Sequence, residues 1–286
     1  MSRNLDRLGS DVEKHHDSSS INQLTHENKV DLSFPQPVEM VELPTKGKFY
    51  TQNHRLHNVD SVEIRHMTAK DEEILTNKSL IQKGTALDKM IQGLIVDKTI
   101  KLENMFVGDR NALILAARIT GYGSNYRTNI ICPICGTRTD HEFDLREIKI
   151  KELSNDIVMA DDGVFEIKLQ DNNVIFTLKM LTGNDETALR FSSEKKKKHN
   201  LPESPLLDQL KAIVVSISGL NSKLEVDDYI SNRLLAKHAK FIREEYARVV
   251  PNLDLKYDFE CDSCGTFSRI GIPFTAEFFW PQRWIY

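Results

Sequence analysis

Apolar residues recur at two distinct periods along this chain. Across residues 61–67, Val62 and Ile64 alternate with Ser61, Glu63 and Arg65, the period-two pattern of a half-buried strand. Thr68 follows, with Asp71, Glu72 and Glu73 behind it; a threonine cap and an acidic first turn suit the positive end of a helix. The period then lengthens. Leu87, Met90, Ile91, Leu94 and Ile95 fall at helical spacing within residues 85–96, and Leu113, Ile114, Ala117 and Arg118 do so within 108–120, predicting two amphipathic helices. Gly121-Tyr122-Gly123 stops the second of them, and strand-like sequence at 127–131 and 142–145 flanks Cys132-Pro133-Ile134-Cys135-Gly136. Earlier in the chain, Leu43-Pro44-Thr45-Lys46-Gly47-Lys48-Phe49-Tyr50 reads as a turn followed by an aromatic strand start.

The same order returns in the second half. Residues 165–169 and 174–180 alternate around Asp171-Asn172-Asn173, predicting a hairpin. Thr182 then precedes Asp185-Glu186 as Thr68 precedes Asp71-Glu72. Leu206-Leu207-Asp208-Gln209-Leu210 has the form of Ala86-Leu87-Asp88-Lys89-Met90. A single helix is predicted over 227–250, and strands at 256–260 and 268–272 enclose Cys261-Asp262-Ser263-Cys264-Gly265. The spacing of counterparts widens from 68 and 182, through 88 and 208, to 132 and 261, as small insertions in a second copy would make it. The expected architecture is an α+β fold of internally duplicated strand-helices-strand units, 37–150 and 151–286, each with a cysteine knuckle. Residues 1–36 read as a flexible polar arm without sustained periodicity, including Asp17-Ser18-Ser19-Ser20. Pro35 and Pro37 impose an extended path at its end.

Composition narrows the functional classes. The 286 residues carry 38 Lys+Arg against 42 Asp+Glu, a net charge of −4, and so lack the basic excess of a sequence-independent nucleic-acid binder. The longest apolar run, Ala212-Ile213-Val214-Val215-Ser216-Ile217, falls far short of the roughly 20 residues of a membrane helix. Residues 1–29 lack the apolar core of a signal peptide. Four cysteines are too few for a disulfide scaffold, and their two Cys-x-x-Cys pairs point to a reducing compartment and a metal.

Two thiolates at that spacing fit a tight turn, and two such knuckles complete the tetrahedral sulfur set of zinc. Gly136 and Gly265 follow the second cysteine of each knuckle, where a Cβ would be penalised. Cys135 and Cys261 are much further apart in sequence than the knuckles of a simple ribbon, but pseudo-symmetric units would bring equivalent knuckles together. Cys132, Cys135, Cys261 and Cys264 are therefore expected to share one structural Zn2+, joining the units through a zinc-ribbon-like site. Free or redox-active thiols are the alternative. Four thiolates leave no open coordination position for catalysis.

Other candidates carry less. Gly121-Tyr122-Gly123-Ser124-Asn125-Tyr126 follows a helix and precedes a strand, the reverse of a dinucleotide-binding turn. Lys195-Lys196-Lys197-Lys198-His199 reads as a solvated helix end or a local acidic or phosphate contact. Arg118, on an otherwise apolar face, is a buried ion-pair anchor or a snorkelling surface residue. His15, His16, His54, His57 and His66 show no ligand spacing with the cysteines. There is no serine nucleophile motif, paired-acid motif or Walker loop, so neither an enzyme nor a small-molecule substrate is expected. A zinc-ribbon nucleic-acid or transcription module is the rival class, yet Asp140, Glu142, Asp144, Glu260 and Asp262 make the knuckle surroundings mixed or acidic.

Several segments carry a resemblance to a known family. They are residues 41–50, 62–72 and 117–123, the two knuckles, and Pro273-Phe274-Thr275-Ala276-Glu277-Phe278-Phe279-Trp280-Pro281-Gln282. Together they resemble the baseplate hub proteins of T-even-type contractile-tailed bacteriophages, from about Val41 to Gln282. The resemblance implies a hub component or a hub assembly factor, with other tail baseplate or hub proteins as partners. It also implies a location in the host cytoplasm during assembly and in the tail baseplate if the chain is retained. It brings no catalytic residues. Phe278, Phe279, Trp280 and Trp284 crowd the end of the chain, as a strand packed on its own core or as an interface anchor.

Overall fold

The computed structural model describes residues 36–154, 157–160, 162–171, 173–272 and 278–279. The predicted arm up to residue 35, the hairpin residue Asn172, and Trp280 and Trp284 lie outside the described residues.

The first half opens with strands β1 (Val38–Glu42) and β2 (Ser61–Arg65), antiparallel with Val41 opposite Val62. The strand expected at Phe49 and Tyr50 is instead part of a turn-rich loop between them. Its polar side chains find partners inside the fold, described below, and not along a sheet edge. Strand β2 delivers the chain into α1 (Ala69–Thr76), followed by α2 (Lys78–Gln82), α3 (Ala86–Leu94) and α4 (Val107–Tyr122). Helix α4 ends at Gly123, whose φ of +82° is a conformation that glycine takes without a Cβ penalty. A ribbon of β3 (Asn125–Ile131) and β4 (Arg138–Asp144) comes next, then the short β5 (Lys149–Lys151).

The second half begins with β6 (Val164–Lys168) and β7 (Ile175–Lys179), the predicted hairpin, with Phe165 opposite Leu178. Helices α5 (Gly183–Lys198) and α6 (Pro205–Ile213) follow. The chain then turns directly into β8 (Val214–Ile217), a third strand paired with β7. Helices α7 (Lys223–Asn232) and α8 (Ala236–Val249), β9 (Asn252–Asp254), and a ribbon of β10 (Lys256–Glu260) and β11 (Phe267–Gly271) complete the described chain.

The predicted helix over 227–250 is two helices, α7 and α8, broken at residues 233–235. Buried positions fall at Val226, Ile230, His238 and Ile242, in four-residue steps across the break. At about 100° per residue, four-residue steps drift by roughly 40° each, so a continuous helix would rotate the later positions off the core. The break resets the face.

Both helix entries use one device. Thr68 donates from its N–H and hydroxyl to the Asp71 carboxylate at 2.9 and 2.8 Å, and Thr182 donates likewise to Asp185 at 2.9 and 2.9 Å. A basic residue three positions upstream completes each cap. Arg65 grips both Asp71 oxygens at 2.7 Å, and Lys179 reaches Asp185 at 2.7 Å. The Arg65 guanidinium holds the Asp71 carboxyl down to about 2. That lies below the unfolded value of about 3.9. The pairing therefore stabilises the fold above about pH 4, and this contribution is lost as pH falls toward 2. Arg65→Met is expected to flatten this acid limb, read by denaturant unfolding between about pH 4 and pH 2; an unchanged slope would assign the acid sensitivity elsewhere.

Two apolar cores result. The second is built from the β6-β7-β8 sheet, α6, α7 and α8, including Phe165, Phe176, Leu210, Ile230 and Ile242. The first gathers β1, β2, α3, α4 and the first ribbon, but it also takes in Leu253, Phe259, Ile272, Phe278 and Phe279 from the far end of the chain. Antiparallel pairing of β5 with β9, Ile150 opposite Leu253, stitches the halves together beneath the ribbons. Gly108 makes this approach possible: a Cβ there would lie 2.3 Å from the Pro251 carbonyl oxygen. No helix among the described residues is long and apolar enough to cross a membrane.

Candidate metal centre

Each ribbon ends in a knuckle of the same construction. In the first, Cys132 N–H donates to Thr137 O at 2.9 Å and Gly136 N–H donates to Cys132 O at 2.9 Å. In the second, Cys261 N–H donates to Thr266 O at 3.1 Å and Gly265 N–H donates to Cys261 O at 2.7 Å. Gly136 and Gly265 take φ values of +72° and +65°, in the left-handed region open to glycine at no steric cost. The turn therefore follows from residue type and spacing. It aims both sulfurs of each pair to one side.

The fold brings the two knuckles face to face. All four Sγ atoms of Cys132, Cys135, Cys261 and Cys264 lie within 4.8 Å of one another. Cys132 Sγ is 3.8 Å from Cys264 Sγ, and Cys135 Sγ is 3.7 Å from Cys261 Sγ. The four thiols are free, with Cys132 and Cys261 buried and Cys135 and Cys264 exposed. A metal with sulfur ligands at about 2.3 Å in tetrahedral array separates its ligands by about 3.8 Å. The two cross-ribbon pairs thus stand at the edge length of such a site and the other separations stay within 4.8 Å, so this set of residues could hold a metal ion.

Local hydrogen bonds prepare the ligands. Thr137 Oγ1 lies 3.3 Å from Cys135 Sγ, and Thr266 Oγ1 lies 3.4 Å from Cys264 Sγ. The Thr137 hydroxyl and then its N–H hold the Cys135 thiol down to about 6, and Thr266 lowers Cys264 in the same way. Thiolate is the form that ligates. The knuckle threonines went unread in the sequence, although each lies two residues past the second cysteine. Behind the sulfurs, His141 of β4 packs among Phe143, Tyr257 and Phe259, ring centroids 4.7, 5.3 and 5.6 Å away. Aromatic contacts thus fill the space between the ribbons. Their outer faces are mixed in charge: Arg127 pairs with Glu142 at 2.9 Å, and Asp140, Glu260 and Asp262 are exposed.

Arg118 is the second polar centre, and it is fully buried. Among the described residues its hydrogen-bond partners are carbonyl oxygens, in place of the expected ion-pair carboxylate. Nε donates to Phe278 O at 2.6 Å, and the two terminal nitrogens donate to Gly123 O at 2.6 Å and Asn125 O at 3.2 Å. Tyr122, Tyr126 and Phe278 rings surround the guanidinium within 6 Å, offering their negative faces to the charge. Burial pulls its pKa down. The residue ties the end of α4 to the start of the first ribbon and to the chain's last described residues.

The third centre explains the Leu43–Tyr50 motif. Asp109, fully buried on α4, accepts from Thr45 N–H at 3.0 Å, Thr45 Oγ1 at 2.6 Å and Tyr50 Oη at 2.7 Å. Tyr50 Oη in turn accepts from Phe106 N–H at 2.9 Å. Burial pushes the Asp109 carboxyl up, against the pull of Thr45 and Tyr50. Gly47 closes this loop at φ +69°, where a Cβ would lie 2.4 Å from Val59 N and O. Gly47→Ala is expected to cost about 1–3 kcal/mol in backbone strain alone, seen as a lower thermal midpoint; an unchanged midpoint would show the loop to be adaptable.

The remaining sequence candidates have structural roles. The Lys195–Lys198 run is the last turn of α5, where Lys196 pairs with Asp208 at 2.6 Å and Lys197 with Glu203 at 3.6 Å. Cations suit that end of the helix dipole. Gly121-Tyr122-Gly123 is the stop of α4 and cradles no phosphate loop.

A family model described as "T4 bacteriophage base plate protein" matches residues 36–280, both ribbons and all three polar centres included. The chain belongs to this family. No curated protein and no solved structure matches it. The segments that carry the phage likeness in sequence, residues 41–50, 62–72 and 117–123, are thereby accounted for physically. In this base plate protein they build the Asp109 loop, the first capped helix entry and the Arg118 clamp.

Proposed function

We propose that this base plate protein is a structural or assembly component of the tail hub, a duplicated chain whose halves are clamped by one zinc ion. The observation that carries the reading is the convergence of four sulfurs, two from each half of a chain that matches the base plate family over 36–280. A closed four-thiolate set is a structural zinc site, and Cys132, Cys135, Cys261 and Cys264 would be its ligands. Bound zinc would supply folding energy and no reaction.

The duplication is supported by register. Strands Ser61–Arg65 and Ile175–Lys179 both lead into a threonine-capped helix, and Ala86–Leu94 and Pro205–Ile213 are both nine residues. After those helices, Ile95 bridges Ile64 and Val214 pairs with Leu178. This register sets Asp88 against Leu207, one residue from the sequence counterpart Asp208. The third residues of α4 and α8, Asp109 and His238, both reach into the connection between the paired strands, His238 to Asp171 at 2.8 Å. Residues 1–36, 37–150 and 151–286 are then an arm and two copies.

Such a chain acts through protein contacts in the tail baseplate, after assembly in the host cytoplasm. A tagged copy expressed during infection is expected to co-purify with baseplate proteins identified by mass spectrometry. Recovery of the chain alone from infected cells would sink the hub reading.

A further inference from the structure

The four sulfurs differ in access, and the difference is ordered. Each cross-ribbon pair joins one exposed cysteine to one buried one: exposed Cys135 faces buried Cys261, and exposed Cys264 faces buried Cys132. We infer that the centre is also an oxidation site, which closes into two cross-ribbon disulfides, Cys135–Cys261 and Cys132–Cys264, when a peroxide reaches it without metal. This rests on the thiol geometry and deepens the metal reading of the same site.

The chemistry balances with a hydroperoxide as the oxidant. The exposed thiolate attacks the peroxide, a sulfur–oxygen bond forms, the oxygen–oxygen bond breaks, and a sulfenic acid and one water result. The buried thiolate facing it then attacks that sulfur, expels hydroxide, which takes a proton to leave as water, and completes the disulfide. Each pair consumes one hydrogen peroxide, gives up two thiol protons and releases two waters. The required movement is small. Sulfurs at 3.7 and 3.8 Å must close to about 2.05 Å, within reach of side-chain rotation.

The pairing has a consequence that closure within each knuckle would lack. A disulfide between Cys132 and Cys135 links residues already joined by a tight turn. Cys135–Cys261 and Cys132–Cys264 instead lock the first ribbon to the second, and so one half of the chain to the other. The knuckle hydrogen bonds from Gly136 N–H and Gly265 N–H also hold each turn in its present shape, while nothing covalent holds the ribbons together. Oxidation would therefore convert a metal-dependent clamp into a covalent one.

The test uses the full chain, stripped with a chelator, treated with hydrogen peroxide and digested without reductant. Mass spectrometry is expected to find peptides joining Cys135 to Cys261 and Cys132 to Cys264. Peptides joined within each knuckle, or thiols carried to sulfinic acid with no disulfide, would overturn the inference. Two double variants sharpen it. Cys132→Ser with Cys264→Ser keeps a facing pair and should retain one cross-link. Cys132→Ser with Cys261→Ser removes one member of each close pair, leaves Cys135 and Cys264 within 4.8 Å of each other, and should cross-link more slowly than the variant that keeps the 3.7 Å pair; equal rates in both variants would also overturn it. Zinc content of the reduced protein is measured separately, so a chain that binds no zinc but forms the cross-ribbon disulfides fails the metal reading alone.

Discussion

With the proposed zinc bound, Cys261→Ser is expected to release it and open the junction between the halves while leaving both apolar cores folded. Structural zinc contributes about 10–16 kcal/mol of apparent binding energy in small peptides that have no core of their own. Here the first core holds residues from β1 to Phe279, and the buried members of the second all come from the later half. Metal loss should therefore act locally. Tryptic cleavage at Lys149, Lys151 and Lys256, which lie on β5 and β10 beside the junction, is expected to accelerate. Helical circular dichroism should change little. Elemental analysis of the reduced wild-type protein should give about one equivalent of zinc. A value below about a tenth would remove the metal from the account, whatever the variant does.

Arg118→Met should cost more in global stability than any surface change. The substitution keeps the aliphatic volume and deletes the donors, leaving the Phe278, Gly123 and Asn125 carbonyls without the partner they have now. Leaving a buried carbonyl without its donor costs about 1–3 kcal/mol, and three carbonyls lose theirs here. For a chain of this size each kcal/mol lowers the midpoint by roughly 2–4 °C, so a fall on the order of 10 °C is expected in a thermal melt. Arg118→Lys retains the charge and loses the planar fork, and should fall in between. A lysine variant as stable as wild type would show that charge among the Tyr122, Tyr126 and Phe278 rings, and not the carbonyl clamp, is what matters.

The sequence was most legible where one residue type has one physical use. Threonine followed by Asp-Glu marked both helix entries, alternation marked β2, β6 and β7, and Cys-x-x-Cys-Gly marked both knuckles. It was least legible where the outcome depends on distant partners. Three-residue strands such as β5 and β9 carry too little pattern to be seen alone, and their pairing is set by the approach of α4 at Gly108. Strand β8 hides in the apolar run 212–217, which periodicity cannot assign. The break between α7 and α8 is invisible in a stripe that a straight helix would satisfy for two turns. Tyr50 reads as a strand residue because its partner, Asp109, lies on another element. Arg118 stood out on its apolar face but stayed open between a buried anchor and a surface residue, because carbonyl partners leave no trace in a sequence that a carboxylate would.

The make-up of the first core has a consequence for synthesis on the ribosome. Leu253, Phe259, Ile272, Phe278 and Phe279 belong to the same core as Val41 and Leu43. The half made first therefore cannot finish its interior until the half made last has left the exit tunnel. At about 5–20 residues per second, the stretch from β5 to Phe279 takes roughly 6 to 25 s to translate. Throughout that interval the nascent first half exposes apolar surface that residues 253–279 later cover. A chain cut short before Phe259 would lack part of that interior permanently, along with Cys261 and Cys264. Quality control is thus written into the topology: only a chain translated past Phe279 closes its first core.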